Sequence, residues 1–295
     1  MSRLLAIDWG TSSLRGALIT EDAGVSDERS FPRGILSVAP GEFAAVFAQC
    51  FGDWMTPGTL CLIAGMAGSQ QGWLEAPYCS CPAGFGDVAA RLAWIDAGRI
   101  AIVPGLSIDA GGVPDVMRGE ETQVFGALAL LDLTDALIVL PGTHSKWVTA
   151  QDRRITHFST WMTGEFYALL RQHSILSRTL PADATTHEPA AFEQGVARAL
   201  LGEGLLHTAF STRTLALFKR MDSKALASYL SGLVIGEELR GQKLVRGSQV
   251  VIIGAHELSA RYAQALGLLG VSCRTPASNA TWAGLRAIAE TVRPA

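Results

Sequence analysis

Apolar residues along this chain gather in short runs that stop abruptly at turns marked by glycine, proline or small hydroxyl residues. The first run, residues 4–7, breaks at Asp8-Trp9-Gly10-Thr11-Ser12-Ser13 and resumes over 14–19, which predicts a β-hairpin around a glycine-containing turn. Phe43, Val46, Phe47, Phe51 and Trp54 recur at helical spacing and predict an amphipathic helix over 43–54. Buried strands are predicted over 60–64, running into Gly65-Met66-Ala67-Gly68-Ser69-Gln70, and over 100–103, stopped by Pro104-Gly105. A helix over 120–131 opens with two carboxylates, favourable charges for a helix N-terminus. The apolar run 136–140 ends at Pro141-Gly142, and 146–149 predicts the return strand of a second hairpin. From 164 to 244 the pattern is mostly helical around a polar, proline-containing loop at 180–189. A last buried strand over 250–253 leads through Gly254-Ala255 into a helix that reaches 266, and a final helix spans 281–292.

This alternation predicts an α/β protein, and one internal echo predicts its division. Gly10-Thr11 recurs as Gly142-Thr143, behind an apolar strand each time, with Ser12 answered by Ser145; the offset is 142 − 10 = 132 residues, about one lobe. A length of 295 residues suits two packed lobes, and 48% hydrophobic against 17% charged residues supports large buried sheets and argues against disorder. A net charge of -3 lacks the basic excess of a nucleic-acid surface. No apolar run approaches the ~18 residues of a membrane span, and the first strand leaves no room for a signal peptide. A soluble, cytoplasmic chain without membrane or nucleic-acid partners is therefore expected, with homo-oligomerisation left open. Cys50, Cys61, Cys79, Cys81 and Cys273 form neither a disulfide framework nor a zinc-site spacing, so structural or incidental thiols are expected.

Turns rich in glycine and hydroxyl residues wrap backbone N–H groups around phosphate oxygens, glycine permitting the close approach. Three glycine-marked strand ends occur, at 8–13, 142–146 and 254–255, whereas neither GxxxxGK[ST] nor GxGxxG is present. The first turn begins with Asp8 where the second has Leu140. Magnesium takes one or two carboxylates plus water and phosphate oxygens, so Asp8 is the candidate metal ligand; a plain turn former is its alternative. Gly10, Thr11 and Ser12 in the first turn, and Gly142, Thr143, His144, Ser145 and Lys146 in the second, are candidate phosphate contacts. His144 and Lys146 read equally well as structural residues, and the other histidines show no ligand spacing. Ser69 and Gln70 offer neutral donors behind a strand, where ligands bind in α/β sheets. Trp73 and Tyr78 either wall a sugar pocket or pack in a core.

Leu5-Ala6-Ile7-Asp8-Trp9-Gly10-Thr11-Ser12 and Leu140-Pro141-Gly142-Thr143-His144-Ser145-Lys146-Trp147-Val148 resemble the two phosphate motifs of the sugar kinase and actin superfamily. Gly65-Met66-Ala67-Gly68-Ser69 with Gly72-Trp73 and Ala76-Pro77-Tyr78 carry a closer resemblance, to the 2-dehydro-3-deoxygalactonokinase family. So do Val116-Met117-Arg118-Gly119-Glu120-Glu121-Thr122-Gln123 and Met162-Thr163-Gly164-Glu165, and the similarity runs from near residue 4 to near residue 290. It implies a two-lobed actin-like ATPase (ribonuclease H-like) fold with the nucleotide in the interdomain cleft. Residues 1–118 would form the N-terminal lobe and 119–295 the C-terminal lobe, with connecting helices near 120–131 and 281–292 crossing at Gly126, Ala127, Ala283 and Gly284.

The same resemblance implies ATP and Mg2+ as cofactors. It implies transfer of the γ-phosphoryl group to the 6-hydroxyl of 2-dehydro-3-deoxy-D-galactonate, a small-molecule sugar acid, in galactonate catabolism. Residues 250–255 match the fold's adenosine motif, which brings in Gly254 and Ala255. Related carbohydrate kinases carry their base, an Asp, after a glycine at the start of the helix before the second phosphate motif. Gly119-Glu120 stands there, with Glu for Asp and with Glu121 ranked behind it; both acids also read as ordinary helix N-terminal charges. For the acceptor, Ser69 and Gln70 rank ahead of Arg118, a charge-assisted donor beside the proposed base. The alternatives are a kinase for another sugar or sugar acid, or a phosphohydrolase, on the same fold. A sugar-sensing regulator is the alternative outside catalysis, disfavoured because the first core strand begins at Leu4.

Overall fold

The computed structural model describes residues 3–20, 24–181 and 187–292. The chain packs as two compact units, Met1–Ala136 with Val148–Ser159 and Pro276–Ala295, and Leu137–Trp147 with Thr160–Thr275.

In the first unit the opening hairpin forms as predicted. Strand β1 (Leu4–Trp9) pairs antiparallel with β2 (Leu14–Thr20), from Leu4 opposite Ile19 to Trp9 opposite Leu14. Strand β3 (Gly24–Phe31) continues the meander. After helix α1 (Phe43–Phe51), strand β4 (Leu60–Gly65) returns parallel to β1, setting Asp8 opposite Ala64 and Trp9 opposite Gly65. Successive apolar residues in β1 and β4 reflect cover on both faces. Phe43, Phe47 and Phe51 of α1 pack against Leu5, Ile7 and Trp9, and the C-terminal helix, Ala280–Val292, also packs on β1 and β4. The helix predicted over 43–54 is α-helical only to Phe51. Gly52–Trp54 tightens into a 3-10 turn that buries Trp54 beside Phe51, ring centroids 5.5 Å apart.

Strand β5 (Cys79–Ser80), helix α2 (Phe85–Ala89) and strands β6 (Ala93–Asp96), β7 (Ile100–Ile102), β8 (Leu106–Ala110) and β9 (Val113–Met117) follow. The main sheet has the order β3-β2-β1-β4-β7-β6, and β5-β8-β9 forms a small separate sheet. Helix α3 (Glu120–Leu130) then crosses the C-terminal helix very closely. A Cβ on Gly126 would lie 1.7 Å from the Ala280 carbonyl oxygen, and one on Gly284 1.8 Å from that of Thr122, so only glycine fits at either place. The sequence reading counts both helices with the second lobe; in the structure this crossing holds them inside the first unit.

A second sheet repeats the opening. Strands β10 (Ala136–Leu140), β11 (Ser145–Gln151) and β12 (Arg154–Trp161) are followed by helices α4 (Thr163–His173), α5 (Pro189–Leu200), α6 (Leu205–Thr208), α7 (Ser211–Leu217) and α8 (Ser223–Arg240). Strand β13 (Gln249–Ile252), helix α9 (His256–Leu268) and strand β14 (Ser272–Arg274) complete it. The order β12-β11-β10-β13-β14 matches β3-β2-β1-β4-β7 strand for strand, so the echo of Gly10-Thr11 in Gly142-Thr143 marks a duplicated topology. The loop expected at 180–189 falls partly outside the described residues. Among the described residues, no helix is long and apolar enough to cross a membrane, and all five cysteines are free thiols.

Candidate active site

Asp8 is the penultimate residue of β1, with its side chain 19% exposed and Oδ2 lying 2.5 Å from Nη2 of Arg15 on the neighbouring strand. The turn beyond it is closed by a hydrogen bond from the Gly10 N–H to the Ser13 carbonyl (2.9 Å), and Thr11 and Ser12 are exposed. Beside this turn Gly65 ends β4 with φ +91°; a Cβ there would lie 2.8 Å from the Trp9 carbonyl oxygen and 3.3 Å from Asp8 Oδ1. Gly119, at φ +105°, comes up against Gly65, where its Cβ would be 3.2 Å from the Gly65 Cα. Both positions need a glycine for the left-handed backbone and for the approach. Together they dock the first turn of α3, and with it Glu120, at the carboxyl ends of β1 and β4, the place where α/β sheets bind ligands.

The two acids of that turn are not equivalent. Glu120 is half-buried, and its Oε2 accepts the Arg118 N–H at 2.9 Å. Glu121 points inward and is fully buried; its Oε2 accepts the Gly119 N–H at 2.7 Å, and its Oε1 has no hydrogen-bond partner among the described residues. Burial, reinforced by the adjacent Glu120, pushes the Glu121 carboxyl up to about 8. Of the pair, only Glu120 has the exposure that proton transfer from a bound hydroxyl requires.

Ser69, Gln70, Gln71, Glu75, Tyr78 and Arg118 line a pocket of about 400 Å³ in this unit. Arg118 reaches away from its own backbone. Its Nη2 donates to the Ala76 carbonyl at 2.8 Å, and its guanidinium lies 4.4 Å from the Tyr78 ring centroid. Arg118 Nε and Nη1 and Ser69 Oγ are buried with no hydrogen-bond partner among the described residues. Each such unmade bond costs about 1–3 kcal/mol, so three at one pocket wall amount to a standing demand for an acceptor. Trp73 is not in this wall: it packs in the core, 6.0 Å from Trp9 and 5.3 Å from Phe47 between ring centroids. Gln71 and Glu75 join the pocket without any signal in the sequence beyond their place in the loop after β4.

In the second unit β10 and β13 run parallel, with Val139 opposite Ile252. A Cβ on Gly254 would lie 3.5 Å from Pro141, so the Gly142–Lys146 turn and the Gly254-Ala255 step stand side by side at neighbouring strand ends. Thr143 and His144 are exposed, and His144 Nε2 lies 2.5 Å from Glu165 Oε2. Ser145 and Lys146 face inward: Ser145 Oγ is 2.9 Å from the Tyr262 hydroxyl, and Lys146 Nζ donates to Thr160 Oγ1 at 2.6 Å. Behind them the carboxylate of Glu238, on α8, accepts hydrogen bonds from Trp147 Nε1 (2.7 Å), the Tyr262 hydroxyl (2.7 Å) and the Thr163 hydroxyl. Burial raises the Glu238 carboxyl above its ordinary range against these donated bonds, and burial likewise raises the Tyr262 hydroxyl. The only sequence sign of this cluster is a carboxylate within the apolar stretch of α8. Among the described residues no group of three or more His, Cys, Asp or Glu side chains could hold a metal ion. Magnesium binds through one or two carboxylates completed by phosphate oxygens and water, a shell to which the partly exposed Asp8 could contribute its carboxylate.

Two sheets of matching topology, each with a glycine-marked turn at the end of its first strand, define the class: the two-lobed actin-like ATPase fold. The activator of the 2-hydroxyisocaproyl-CoA dehydratase from Clostridium difficile, solved with bound ADPNP, shares this fold at 11% identity and a TM-score of 0.52, over 98% of this chain and 95% of its own. Much nearer is the 2-dehydro-3-deoxygalactonokinase of Escherichia coli (strain K12), 35% identical over 294 residues and 99% of each chain. The crystal structure of a Sinorhizobium meliloti protein assigned the same activity is 36% identical, covers 100% of both chains and has a TM-score of 0.89. A family profile described as 2-keto-3-deoxy-galactonokinase matches residues 8–288. The chain belongs to that family, and it is a carbohydrate kinase.

Proposed function

We propose that this chain transfers the γ-phosphoryl group of ATP to the 6-hydroxyl of 2-dehydro-3-deoxy-D-galactonate, in galactonate catabolism in the cytoplasm. The observation that carries the acid specificity is the set of unpartnered buried donors, Arg118 Nε and Nη1 and Ser69 Oγ, at a pocket on the segment that also bears Glu120. A carboxylate accepts from a guanidinium and a hydroxyl with charge-assisted bonds, whereas a neutral hexose offers no such acceptor. Because the Arg118 side chain extends to Ala76 and Tyr78 while its backbone N–H holds Glu120, one residue serves both ends of the acceptor. The Tyr78 ring, 41% exposed, stacks on the guanidinium, so the incoming carboxylate displaces it. Gln70, with Gln71 and Glu75 in the same pocket, completes the acceptor side.

Phosphoryl transfer needs positioning, charge neutralisation and a group to receive the hydroxyl proton. Glu120 receives the proton. Thr11 and Ser12, in the turn that the Gly10 N–H closes on Ser13, and Gly142, Thr143 and His144 would offer backbone N–H groups and exposed side chains to phosphate oxygens. Ser145 and Lys146, with side chains bonded to Tyr262 and Thr160, hold the shape of the second turn. Gly254 and Ala255 meet the adenosine. Asp8 would hold the magnesium that accompanies ATP and neutralises its phosphates.

The test is a kinase assay with Mg-ATP over a panel comprising the sugar acid, its analogue with the carboxylate reduced to an alcohol, glucose and galactose. The acid should lead in kcat/KM by about 10²-fold or more, since donors left unpaired in a closed site are penalised. Equal values across the panel reject the acid specificity, and ATP turnover that needs no acceptor rejects the kinase reading.

A further inference from the structure

Glu238 takes no part in the chemistry above, yet it is 1% exposed, and its hydrogen-bond partners among the described residues are neutral donors. A hydrocarbon of the same volume would fill the site without the desolvation of a carboxylate, so packing alone does not call for Glu there. What distinguishes the position is where its partners sit. Trp147 belongs to β11, directly after the Gly142–Lys146 turn. Thr163 is the first residue of α4, and α4 is docked on the same turn: the Glu165 N–H donates to the Thr143 carbonyl at 3.0 Å. Gly164 lies so near that a Cβ would be 2.5 Å from the Gly142 carbonyl oxygen. Tyr262 belongs to α9, the helix that follows Gly254-Ala255.

The polarity of this network follows from its chemistry. The Trp147 indole N–H only donates, so Oε1 must accept. An ionised carboxylate also takes the Tyr262 and Thr163 protons on Oε2. With its proton so committed, Tyr262 accepts from Ser145, and the Ser145 hydroxyl is turned inward and fixed at the end of the turn. One carboxylate thereby orients the strand after the turn, the helix docked on the turn and the helix behind the adenosine step.

We propose that Glu238 is the positioning residue for the nucleotide: it sets the shape of the Gly142–Lys146 turn and its relation to the Gly254-Ala255 step. This rests on the reading of that turn as a phosphate site. Glu238→Gln keeps the volume and an acceptor for Trp147 but presents N–H groups where Tyr262 and Thr163 now donate, so the relay to Ser145 reverses. Affinity for a non-hydrolysable ATP analogue, measured by calorimetry, should fall about tenfold, the cost of a mispaired buried donor, with KM for ATP rising alike and KM for the sugar acid within about twofold. Tyr262→Phe should weaken the analogue less, and adding it to Glu238→Gln should cost nothing further, because both break one relay. Glu238→Asp, which keeps the charge and the direction of the bonds, should recover part of the affinity.

Gly142→Val probes the reading underneath. A Cβ there meets nothing nearer than the His144 carbonyl oxygen at 3.8 Å, so the variant folds with bulk over the turn. If Gly142→Val weakens the analogue while a folded Glu238→Gln binds it normally, the positioning role is overturned and the phosphate turn stands. If Gly142→Val binds normally, the turn is not a phosphate site and the inference falls with it. A uniform loss of thermal stability, kcat and both KM values in Glu238→Gln and Tyr262→Phe would assign Glu238 to folding alone.

Discussion

Replacement of Glu121 by Gln tests the inward placement of that acid through the pH dependence of stability. Glu121 is fully buried, with one oxygen on the Gly119 N–H and the other unpartnered, and its carboxyl is pushed from an ordinary 4.5 up to about 8 by burial and then by Glu120. In the unfolded chain the group ionises near 4.5; in the folded protein it keeps its proton to about 8. Between those values the folded state binds the extra proton, so this contribution to stability is whole below 4.5, declines as pH rises towards 8 and is flat beyond. A span of about 3.5 pH units at about 1.4 kcal/mol each gives about 5 kcal/mol between the two ends, and about 3 kcal/mol by pH 7. Glu121→Gln keeps an acceptor for the Gly119 N–H and removes the titration. Urea unfolding of both proteins should show the variant gaining on the parent by about 2.5 kcal/mol from pH 5 to 7 and about 4 kcal/mol from pH 5 to 9, whichever is the more stable at pH 5. The variant should also keep kcat within a few-fold at pH 7, because the side chain faces the interior. Parallel stability curves for the two proteins would refute the inward, protonated Glu121. A collapse of kcat greater than that of Glu120→Gln would move the proton-accepting role to it.

Glu120→Gln should lower kcat by about 10² to 10⁴-fold with little change in ATP affinity, the size of a general-base contribution, measured in steady-state assays with both substrates saturating. Asp8→Asn should fold, since the side chain is partly exposed and its partner Arg15 is on the surface, yet should lose about 10² to 10³-fold in kcat. Near-normal turnover in the folded variant, or an unchanged magnesium titration, contradicts the metal assignment. Arg118→Lys removes the fork that bonds Ala76 and stacks on Tyr78, and should raise KM for the sugar acid about tenfold while leaving the poor activity on glucose where it was.

What was legible in the sequence follows burial. β1, β4, β10 and β13 are covered on both faces, so their apolar runs and the glycines that end them stand out, and with them the duplicated turn. β3 lies at a sheet edge and is mostly exposed, which leaves no alternation to read, and the β5-β8-β9 sheet is short and surface-facing for the same reason. The placing of both helices in the first unit goes with Gly126 and Gly284, where two helices touch although 284 − 126 = 158 residues separate the contact points; small residues in helices are too common for that crossing to be read locally. The site divides in the same way. The motifs around Asp8 and Glu120 are local and stand out along the sequence, whereas the difference between Glu120 and Glu121 is one of direction, fixed only when Gly119 turns the chain at positive φ. Along the sequence Arg118 ranks behind Ser69 and Gln70 because its backbone adjoins the proposed base; in the structure its guanidinium reaches Ala76 and Tyr78. Its unpartnered nitrogens become visible only once Tyr78 and Ala76 are in place. Local pattern thus reports where the chain turns. The demand of a buried donor for a partner is a property of the packed pocket and of no segment taken alone.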